Sequence, residues 1–181
     1  HHVYSRSEKN VIASKAIQLI ENDMFVMTTG GTTILEMVNH LPVTLKATFI
    51  TGSIPVVNSC LNHPNIQTIV IGDKVSHISK LTYGEDALHK IKQMKADLCF
   101  MGTNAIDLNH GLTDNDWDVV QIKKAMLSVS KKVVCMVISE KLQSFQPISV
   151  CDISEIDYLI TELKPGHDLL RPYREAGITV L

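Results

Sequence analysis

Short apolar runs alternate with amphipathic segments along most of the chain. The runs are apolar at successive positions, as in buried strands, whereas the segments between them carry apolar residues at helical spacing. Strands and helices that alternate in this way are typical of a mainly parallel sheet covered on both faces. We therefore predict an α/β fold with a doubly wound, Rossmann-like sheet. The predicted strands are 25–28, 47–51, 68–71, 98–101, 133–137, 158–160 and 179–181, and the predicted helices are 10–20, 32–39, 54–61, 84–95, 116–130 and 165–175.

Length and composition favour one domain. The chain has 181 residues, 45% of them hydrophobic, and no break in composition that would separate two cores. Residues 1–7 begin with two histidines and continue as a polar stretch, so we interpret them as a linker or tag remnant before a domain at 8–181. No apolar run approaches the roughly 18 residues of a membrane-spanning helix, and no signal-peptide pattern opens the sequence as given. We expect a cytoplasmic protein without membrane contact.

Charge and cysteine content exclude several functions. The formal net charge of −2 gives no basic surface for holding nucleic acid, so any role on DNA needs another module. Cys60, Cys99, Cys135 and Cys151 are far apart and form no CxxC pair, which indicates structural thiols in a reducing compartment. The histidines show no zinc spacing. We predict neither a metal nor a cofactor.

The segment from Thr28 to Thr33 is the strongest candidate for a binding site. It joins the apolar strand 25–28 to an amphipathic helix through Gly30 and Gly31. Unpaired N–H groups and the helix dipole favour an anion at such a helix start, and threonine hydroxyls add hydrogen bonds. The alternative is a tight turn in which Thr32 merely caps the helix.

Glycines and small polar residues also follow the next three predicted strands. Parallel strands bring their carboxyl ends to one edge, where ligands of such sheets bind. Lys141, after the fifth strand, adds a positive charge. Turns favour the same residue types for structural reasons, but their concentration on one edge favours a site. The residues after these three strands are Thr51, Gly52, Ser53, Gly72, Asp73, Gly102, Thr103 and Asn104.

Residues 105–114 are predicted to form a polar loop before helix 116–130. Asp114 or Asn115 is the candidate N-cap of that helix. His110 is interpreted as a general base, a ligand contact or a solvated residue, and the last is favoured because no partner histidine or cysteine lies at metal spacing. Trp117 is expected to pack near the helix start.

The order and spacing of several short motifs resemble the sensor domain of DeoR-family transcriptional regulators over nearly the whole chain. The resemblance implies a fold related to ribose-5-phosphate isomerase, glucosamine-6-phosphate isomerase and coenzyme A transferases, in which a sugar phosphate is bound rather than turned over. It also implies an N-terminal winged helix-turn-helix domain, absent from residues 1–181, that binds operator DNA. The motifs are Glu8-Lys9, Ile12-Ala13, Gly31-Thr32-Thr33, Thr51-Gly52-Ser53, Ala96-Asp97, Phe100-Met101-Gly102, Gly111-Leu112-Thr113, residues 122–126, Lys141 and residues 157–161.

The resemblance implies a phosphate cradle at Gly31, Thr32 and Thr33, with Lys123 and Lys141 as cationic partners. Together with the polar strand ends, it leads to one predicted binding set. Its members are Thr29, Gly30, Gly31, Thr32, Thr33, Thr51, Gly52, Ser53, Gly72, Asp73, Thr103, Lys123 and Lys141.

The chain departs from the family pattern where carboxylates are usual. Thr29, Val119 and Ile138 stand at three such positions, and Gly52 replaces a family asparagine. We therefore expect an altered ligand, or even the loss of sugar-phosphate binding, while the phosphate loop itself is retained. The nearby carboxylates that offer replacements are Asp73, Asp118 and Glu140.

A sensor is the favoured interpretation. Sugar-phosphate isomerisation needs a positioned carboxylate base, and coenzyme A transfer needs a nucleophilic glutamate, but no clear candidate for either is present. We expect no catalytic residues, a phosphorylated small-molecule effector and a homo-oligomeric regulator, in the first instance a repressor. The alternatives are an isomerase-like enzyme and a degenerate sensor kept for oligomerisation.

Overall fold

The computed structural model describes residues 2–181, with side chains from Arg6 onward. The helices are α1 (His2–Ile17), α2 (Thr32–Asn39), α3 (Ile54–Leu61), α4 (Glu85–Lys92), α5 (Trp117–Val129) and α6 (Arg171–Glu175). The strands are β1 (Phe25–Thr28), β2 (Ala47–Thr51), β3 (Ile66–Val70), β4 (Lys74–Val75), β5 (Thr82–Tyr83), β6 (Ala96–Gly102), β7 (Ala105–Asp107), β8 (Gly111–Asp114), β9 (Ser130–Met136), β10 (Ile148–Cys151), β11 (Tyr158–Ile160) and β12 (Thr179–Val180).

Seven strands form a central sheet in the order β12-β11-β9-β6-β1-β2-β3, and every neighbouring pair is parallel. Successive side chains point to opposite faces, so each face has its own core. Val26 and Phe49 lie in the core beneath α1, α2 and α3, whereas Met27 and Ile50 lie in the core beneath α4 and α5. The predicted doubly wound sheet is confirmed.

The chain changes its direction across the sheet between β1 and β6. Strands β1, β2 and β3 lie side by side in chain order, and β6 then pairs with the other side of β1. A crevice forms beyond the carboxyl ends of strands at such a point. The backbones approach closely there, since a Cβ added to Gly102 would lie 3.3 Å from the carbonyl oxygen of Gly30. The loop after β1 therefore lies at the centre of this edge of the sheet.

The predicted polar loop 105–114 is wrong. The segment forms the antiparallel hairpin β7–β8, and β8 also pairs with β10. Gly111 adopts a φ of 68°, and a Cβ there would overlap the carbonyl oxygen of Cys151. Thr113 and Asp114 are buried in this small sheet although both are polar. A strand whose inward residues are polar gives no alternating apolar pattern, so the sequence hides it.

The hairpin is fixed to the rest of the domain by the buried Tyr173 on α6. Its hydroxyl donates a hydrogen bond to the carbonyl of Ile106 at 3.2 Å and accepts one from the amide of Gln143 at 3.2 Å. Burial raises the pKa of the Tyr173 hydroxyl, so it stays protonated and able to donate. A second two-stranded hairpin, β4–β5, comes between β3 and α4 in the chain.

Several element boundaries differ from those predicted. α1 begins at His2 rather than at residue 10, so residues 2–7, predicted as a linker, are helical. β3 begins at Ile66, and α6 begins only at Arg171 because a short 3-10 turn precedes it. The predicted start of the domain at residue 8 stays a prediction.

Lys15 ties α1 to the far edge of the sheet. Its Nζ donates hydrogen bonds to the carbonyls of Thr161 at 2.8 Å, Leu163 at 2.7 Å and Leu181 at 3.1 Å. Burial lowers the pKa of the Lys15 ammonium, and the nearby carboxylate of Glu162 opposes that effect. The first helix is thus held against the segment that follows β11 and against the last residue of the chain.

All four cysteines are free and buried, which confirms the prediction of structural thiols. Burial raises the pKa values of Cys99, Cys135 and Cys151 to about 12, so these thiols stay protonated and unreactive. Within residues 2–181, no helix has both the length and the apolar character needed to cross a bilayer.

Candidate functional site

A cavity of about 720 Å³ opens at the carboxyl ends of β1, β2, β6 and β9, on the edge where the sequence analysis places the site. Its volume is in the range of small-molecule pockets. Lys9 of α1, the loop before β5 and the first two turns of α5 complete its walls. The predicted binding residues that line it are Gly30, Gly31, Thr32, Thr33, Ser53, Thr103, Lys123 and Lys141.

Two helices begin at this cavity, and the N-terminus of α2 is open. Gly31, with a φ of 107°, is the N-cap of α2, and Ser53 is the N-cap of α3. Neither helix receives a side-chain cap from any described residue. By contrast, the carboxylate of Asp116 caps α5, accepting from the amides of Asp118 at 3.0 Å and Val119 at 3.2 Å. Among the described residues, no acceptor binds the amides of Thr32, Thr33 and Ile34, so the start of α2 is available to an anion. The start of α3 is not, because the amide of Ile54 donates to the carbonyl of Lys80 at 3.1 Å and Pro55 has no N–H.

A buried ion pair forms the floor of the cavity on the β6 side. Lys123 Nζ lies 2.9 Å from Asp114 Oδ2 and 2.9 Å from the carbonyl oxygen of Gly102. Asp114 Oδ1 also accepts hydrogen bonds from Asn104 Nδ2 at 2.6 Å and from the amide of Asn115 at 2.7 Å. Lys123, predicted as a phosphate ligand, thus already has an anionic partner.

Asp114 is ionised in this environment. Burial by itself raises its pKa, but the charge of Lys123 and the hydrogen bonds from Lys123, Asn115 and Asn104 outweigh burial, and the net pKa is lower than usual. The sequence analysis treats Asp114 only as a candidate cap of α5, a role that belongs to Asp116. The nine-residue spacing of Asp114 and Lys123 carries no recognisable motif.

Lys141 is a cation that lines the cavity without an ion-pair partner among the described residues. Burial lowers the pKa of its ammonium, and the nearby charges of Lys9 and Lys123 lower it further, while those of Asp114 and Glu140 oppose this. Among the described residues, no carboxylate comes within ion-pair distance of Lys141. The ammonium groups of Lys9 and Lys141 repel each other beside the cavity, and an anion that contacts both would stabilise them.

Three predicted binding residues lie behind the cavity and hold its edge together. Thr29 Oγ1 accepts a hydrogen bond from the amide of Gly102 at 3.0 Å and so joins the ends of β1 and β6. Thr51 Oγ1 donates to the carbonyl of Thr28 at 3.2 Å and accepts from the amide of Ser53 at 3.1 Å. Gly52 packs so closely on Thr82 that a Cβ would overlap that hydroxyl.

Asp73 and Gly72 lie outside the cavity. The carboxylate of Asp73 accepts hydrogen bonds from the amides of Lys74 at 2.7 Å and Ala87 at 3.1 Å, and so caps α4 from a distant loop. These backbone hydrogen bonds, first that of Ala87, lower the pKa of Asp73. Gly84 leaves room for the carboxylate, since a Cβ there would overlap it. Asp73 therefore supports a helix rather than the cavity.

Apolar residues of α5, β9 and the segment after β9 also line the cavity. We define the apolar wall as Val119, Met136, Val137 and Ile138, all of which line it. Val119 and Ile138 are two of the positions at which the sequence resemblance led us to expect carboxylates. None of the suggested replacements, Asp73, Asp118 and Glu140, lines the cavity.

His110 and Trp117 are surface residues outside the cavity lining. His110 Nδ1 lies 2.8 Å from Asp107 Oδ2, and the centroid of its ring lies 4.2 Å from that of Phe145, on which it stacks. His110 is therefore an exposed residue with two side-chain contacts rather than a freely solvated one. Trp117 is 64% exposed, so the expectation that it packs at the helix start is wrong. The described residues contain no group of histidine, cysteine or acidic side chains arranged for a metal ion.

Comparison with protein families gives one match that covers most of the chain. A family model described as the DeoR C terminal sensor domain matches residues 5–163. Among curated relatives, the transcriptional regulator GolR of Listeria innocua is 27% identical over 173 residues, covering 96% of this chain and 68% of its own length. A putative aga operon transcriptional repressor of Escherichia coli O157:H7 is 24% identical over 173 residues, covering 96% and 64%. The chain thus spans about two thirds of such relatives.

Solved structures share the fold at low identity. Ribose 5-phosphate isomerase A from Methanocaldococcus jannaschii matches with a TM-score of 0.53 and 15% identity, over 74% of this chain and 53% of that one. The eIF2B-beta2-delta2 complex from Chaetomium thermophilum matches with a TM-score of 0.64 and 16% identity, over 93% and 60%. The curated relatives are transcriptional regulators rather than enzymes, which agrees with the expectation of a sensor.

Proposed function

Since the chain belongs to the family of DeoR C-terminal sensor domains, we propose that it binds a phosphorylated sugar or a related anionic metabolite and thereby controls a DNA-binding domain. The DNA-binding domain is the winged helix-turn-helix module outside residues 1–181. In this proposal the whole protein is a cytoplasmic, homo-oligomeric repressor that meets operator DNA only through that module. Named relatives include repressors, among them GlcR of Bacillus subtilis.

The observation that carries the proposal is the convergence of one open helix start and two ammonium groups on one cavity. The N-terminus of α2, Lys9 and Lys141 all line it, and neither lysine forms an ion pair with a described residue. A phosphate monoester carries about −1.5 to −2 charges at neutral pH, so it satisfies backbone N–H groups and both lysines at once. We assign the phosphate to the start of α2, where the hydroxyls of Thr32 and Thr33 are also at hand.

Lys123 has a different role in this proposal from the one its position suggested. Because it is engaged by Asp114 and by the Gly102 carbonyl, it shapes the floor of the cavity instead of clamping the phosphate. The closest cations for the ligand are then Lys9 and Lys141. Of these two, only Lys141 was predicted from the sequence as a binding residue.

The cavity is poorly equipped for isomerisation. A general base needs a free carboxylate within hydrogen-bond reach of the substrate carbon. Both carboxylates that line the cavity are occupied, Asp114 by Lys123 and Asp116 by the amides at the start of α5. Binding without turnover is the use that this arrangement supports.

The first helix connects the ligand to the missing domain. α1 contributes Lys9 to the cavity and packs along α2, whose start holds the phosphate. A ligand shifts a regulatory equilibrium only through differential affinity for two arrangements. We propose that contact with Lys9 is the differential interaction, since α1 is the element closest in sequence to the DNA-binding module.

Thermal unfolding and calorimetry test the site. A ligand at about one hundred times its Kd adds about 2.7 kcal/mol, which raises the Tm by roughly 5–10 °C for a domain of this size. Inorganic phosphate, ribose 5-phosphate and glucose 6-phosphate are suitable probes. Lys141→Met removes a charge-assisted hydrogen bond and should weaken binding roughly 10- to 100-fold.

Lys95→Met is the matched control, because Lys95 is exposed and lies outside the cavity lining. Equal affinities of the two variants would reject the assigned site. If no phosphate compound shifts the Tm while light scattering shows a tight dimer, the domain serves oligomerisation and the sensor proposal fails.

A further inference from the structure

One edge of the central sheet is open over the length of a whole strand. The two edge strands are β3, which has five residues, and β12, which has two. The amide of Ile71, just after β3, donates to the carbonyl of Thr51 in β2 at 2.9 Å. Because the backbone groups of successive residues alternate in direction along a strand, those of Ile66, Thr68 and Val70 point away from β2.

The outward groups in the middle of β3 have no partner among the residues that the structure describes. There, neither the amide nor the carbonyl of Thr68 takes part in a hydrogen bond. At the end of the strand, Lys90 Nζ donates to the carbonyl of Val70 at 2.7 Å, and that oxygen keeps a second lone pair. Such a row of outward N–H and C=O groups is a template for another strand.

β3 also lacks the features within a strand that usually prevent pairing at an edge. Residues 66–70 include no charged side chain and no proline, and their register with β2 runs without a bulge. Val70 is 39% exposed, and Leu61, the last residue of the helix that packs on β3, is 70% exposed. Accessible apolar residues thus accompany the open backbone groups.

We infer that two copies of the chain pair through β3, antiparallel and related by a two-fold axis at Thr68. In this register Thr68 lies opposite Thr68 of the second copy, and Ile66 lies opposite Val70 of the second copy. Every outward N–H then meets an outward C=O, because the hydrogen-bonded pairs of an antiparallel ladder recur at every second residue. The strand is therefore complementary to itself, as the isologous interface of a symmetric dimer requires.

The helix on the same face adds to this interface. Strand pairing alone falls short of the roughly 1,000 Å² that a stable interface buries. Because α3 packs on β3, a sheet that continues across the two-fold axis brings the α3 helices of both copies together. The inference rests on the proposed function only in its homo-oligomeric part, for which it names the contact surface, and it is independent of the ligand.

Sedimentation velocity over a range of concentrations tests the inference with two matched variants. Thr68→Pro removes an outward N–H without removing a hydrogen bond to β2, so self-association should weaken roughly 10- to 100-fold. Val180→Pro makes the same change at the opposite edge, since the amides of Thr179 and Leu181 donate inward and that of Val180 points outward. Its self-association should equal that of the wild type.

The outcomes separate this inference from the proposed function. Equal self-association of the wild type and both variants would overturn the pairing through β3 and leave the proposed function standing. A wild type that stays monomeric at every concentration would overturn the pairing together with the homo-oligomeric part of the proposed function. Calorimetric titration with inorganic phosphate decides ligand binding separately.

Disulfide cross-linking tests the register even if Thr68→Pro fails to fold. Gln67 of one copy and Ile69 of the other form a non-hydrogen-bonded pair, with Cα atoms about 4.5 Å apart, which a disulfide can span. An equal mixture of Gln67→Cys and Ile69→Cys chains should therefore form cross-linked dimers under mild oxidation several-fold faster than either variant alone. The four native cysteines are buried and do not compete. Equal rates for the mixture and the separate variants would overturn the inference.

Discussion

The ion pair between Asp114 and Lys123 gives the sharpest test of how the cavity floor is built. The two side chains are 4% and 8% exposed, and their charged atoms lie 2.9 Å apart. Asp114→Asn removes the anion and leaves the Lys123 ammonium buried with neutral acceptors, such as the carbonyl of Gly102, and no counter-charge. Breaking a buried pair by removing one partner costs about 3–5 kcal/mol, because the remaining charge stays desolvated.

The expected loss is therefore at least about 3 kcal/mol of unfolding free energy, or a decrease in Tm of at least about 6 °C for a chain of this length. Lys123→Met should cost a similar amount, since Asp114 then keeps only Asn104 and the amide of Asn115. The double variant buries no unpaired charge. Its cost should fall short of the sum of the single costs by about 1–3 kcal/mol.

Acid provides an independent measure of the same pair. The pKa of Asp114 is below its ordinary value of 3.8. The ion pair therefore contributes fully to the free energy of unfolding at pH values above the pKa of an ordinary carboxyl group. Its contribution is lost as the pH falls through the lowered pKa. The difference in stability between the wild type and Asp114→Asn should be largest near about pH 7 and shrink below about pH 4.

Urea unfolding followed by circular dichroism, without ligand, measures all four proteins of this cycle. Single costs that add to within about 0.5 kcal/mol would refute the coupling. A difference between wild type and Asp114→Asn that stays constant down to about pH 2 would refute the ionised state of Asp114.

Three further predictions concern the supporting structure. Gly111→Ala should destabilise the protein by more than about 2 kcal/mol in urea unfolding, because the added methyl group overlaps backbone atoms that cannot move. Gly177→Ala is the control, with a similar positive φ but open space, and should cost only about 1 kcal/mol. Equal costs of the two substitutions would reject the steric argument. Tyr173→Phe should lose about 1–2 kcal/mol and accelerate amide exchange at Gln143, whose acceptor is removed, and unchanged exchange would contradict that hydrogen bond. Lys15→Met should lower the Tm and speed exchange in β11 more than in β1, and equal acceleration in both strands would show that the lysine does not hold this edge.

The parallel sheet and the loop after β1 could be predicted because their signals are local. A strand, two glycines and an amphipathic helix occupy one continuous stretch, and each element keeps its own apolar period. The open N-cap at Gly31 follows from that stretch alone. Placing this loop beside Gly102 also followed, since parallel strands end on the same edge.

The rest depends on contacts between distant segments. Asp73 caps a helix that begins twelve residues later, and its position after a strand looks the same as that of a ligand-binding residue. Lys9 lies in a helix whose orientation toward the cavity is set by packing on α2. The hairpin β7–β8 buries Asp114 through a partner on α5, so its polar sequence resembled a loop.

The exposed Trp117 has a practical consequence. It is the only tryptophan of the chain and occupies the first position of α5, between the cap Asp116 and the wall residue Val119. Fluorescence excited in the indole ring therefore comes from a single, water-exposed residue near the cavity. Its emission should be red-shifted and open to collisional quenchers. The molecule thus carries one intrinsic fluorophore near the cavity, which can be followed without any dye or labelled cysteine.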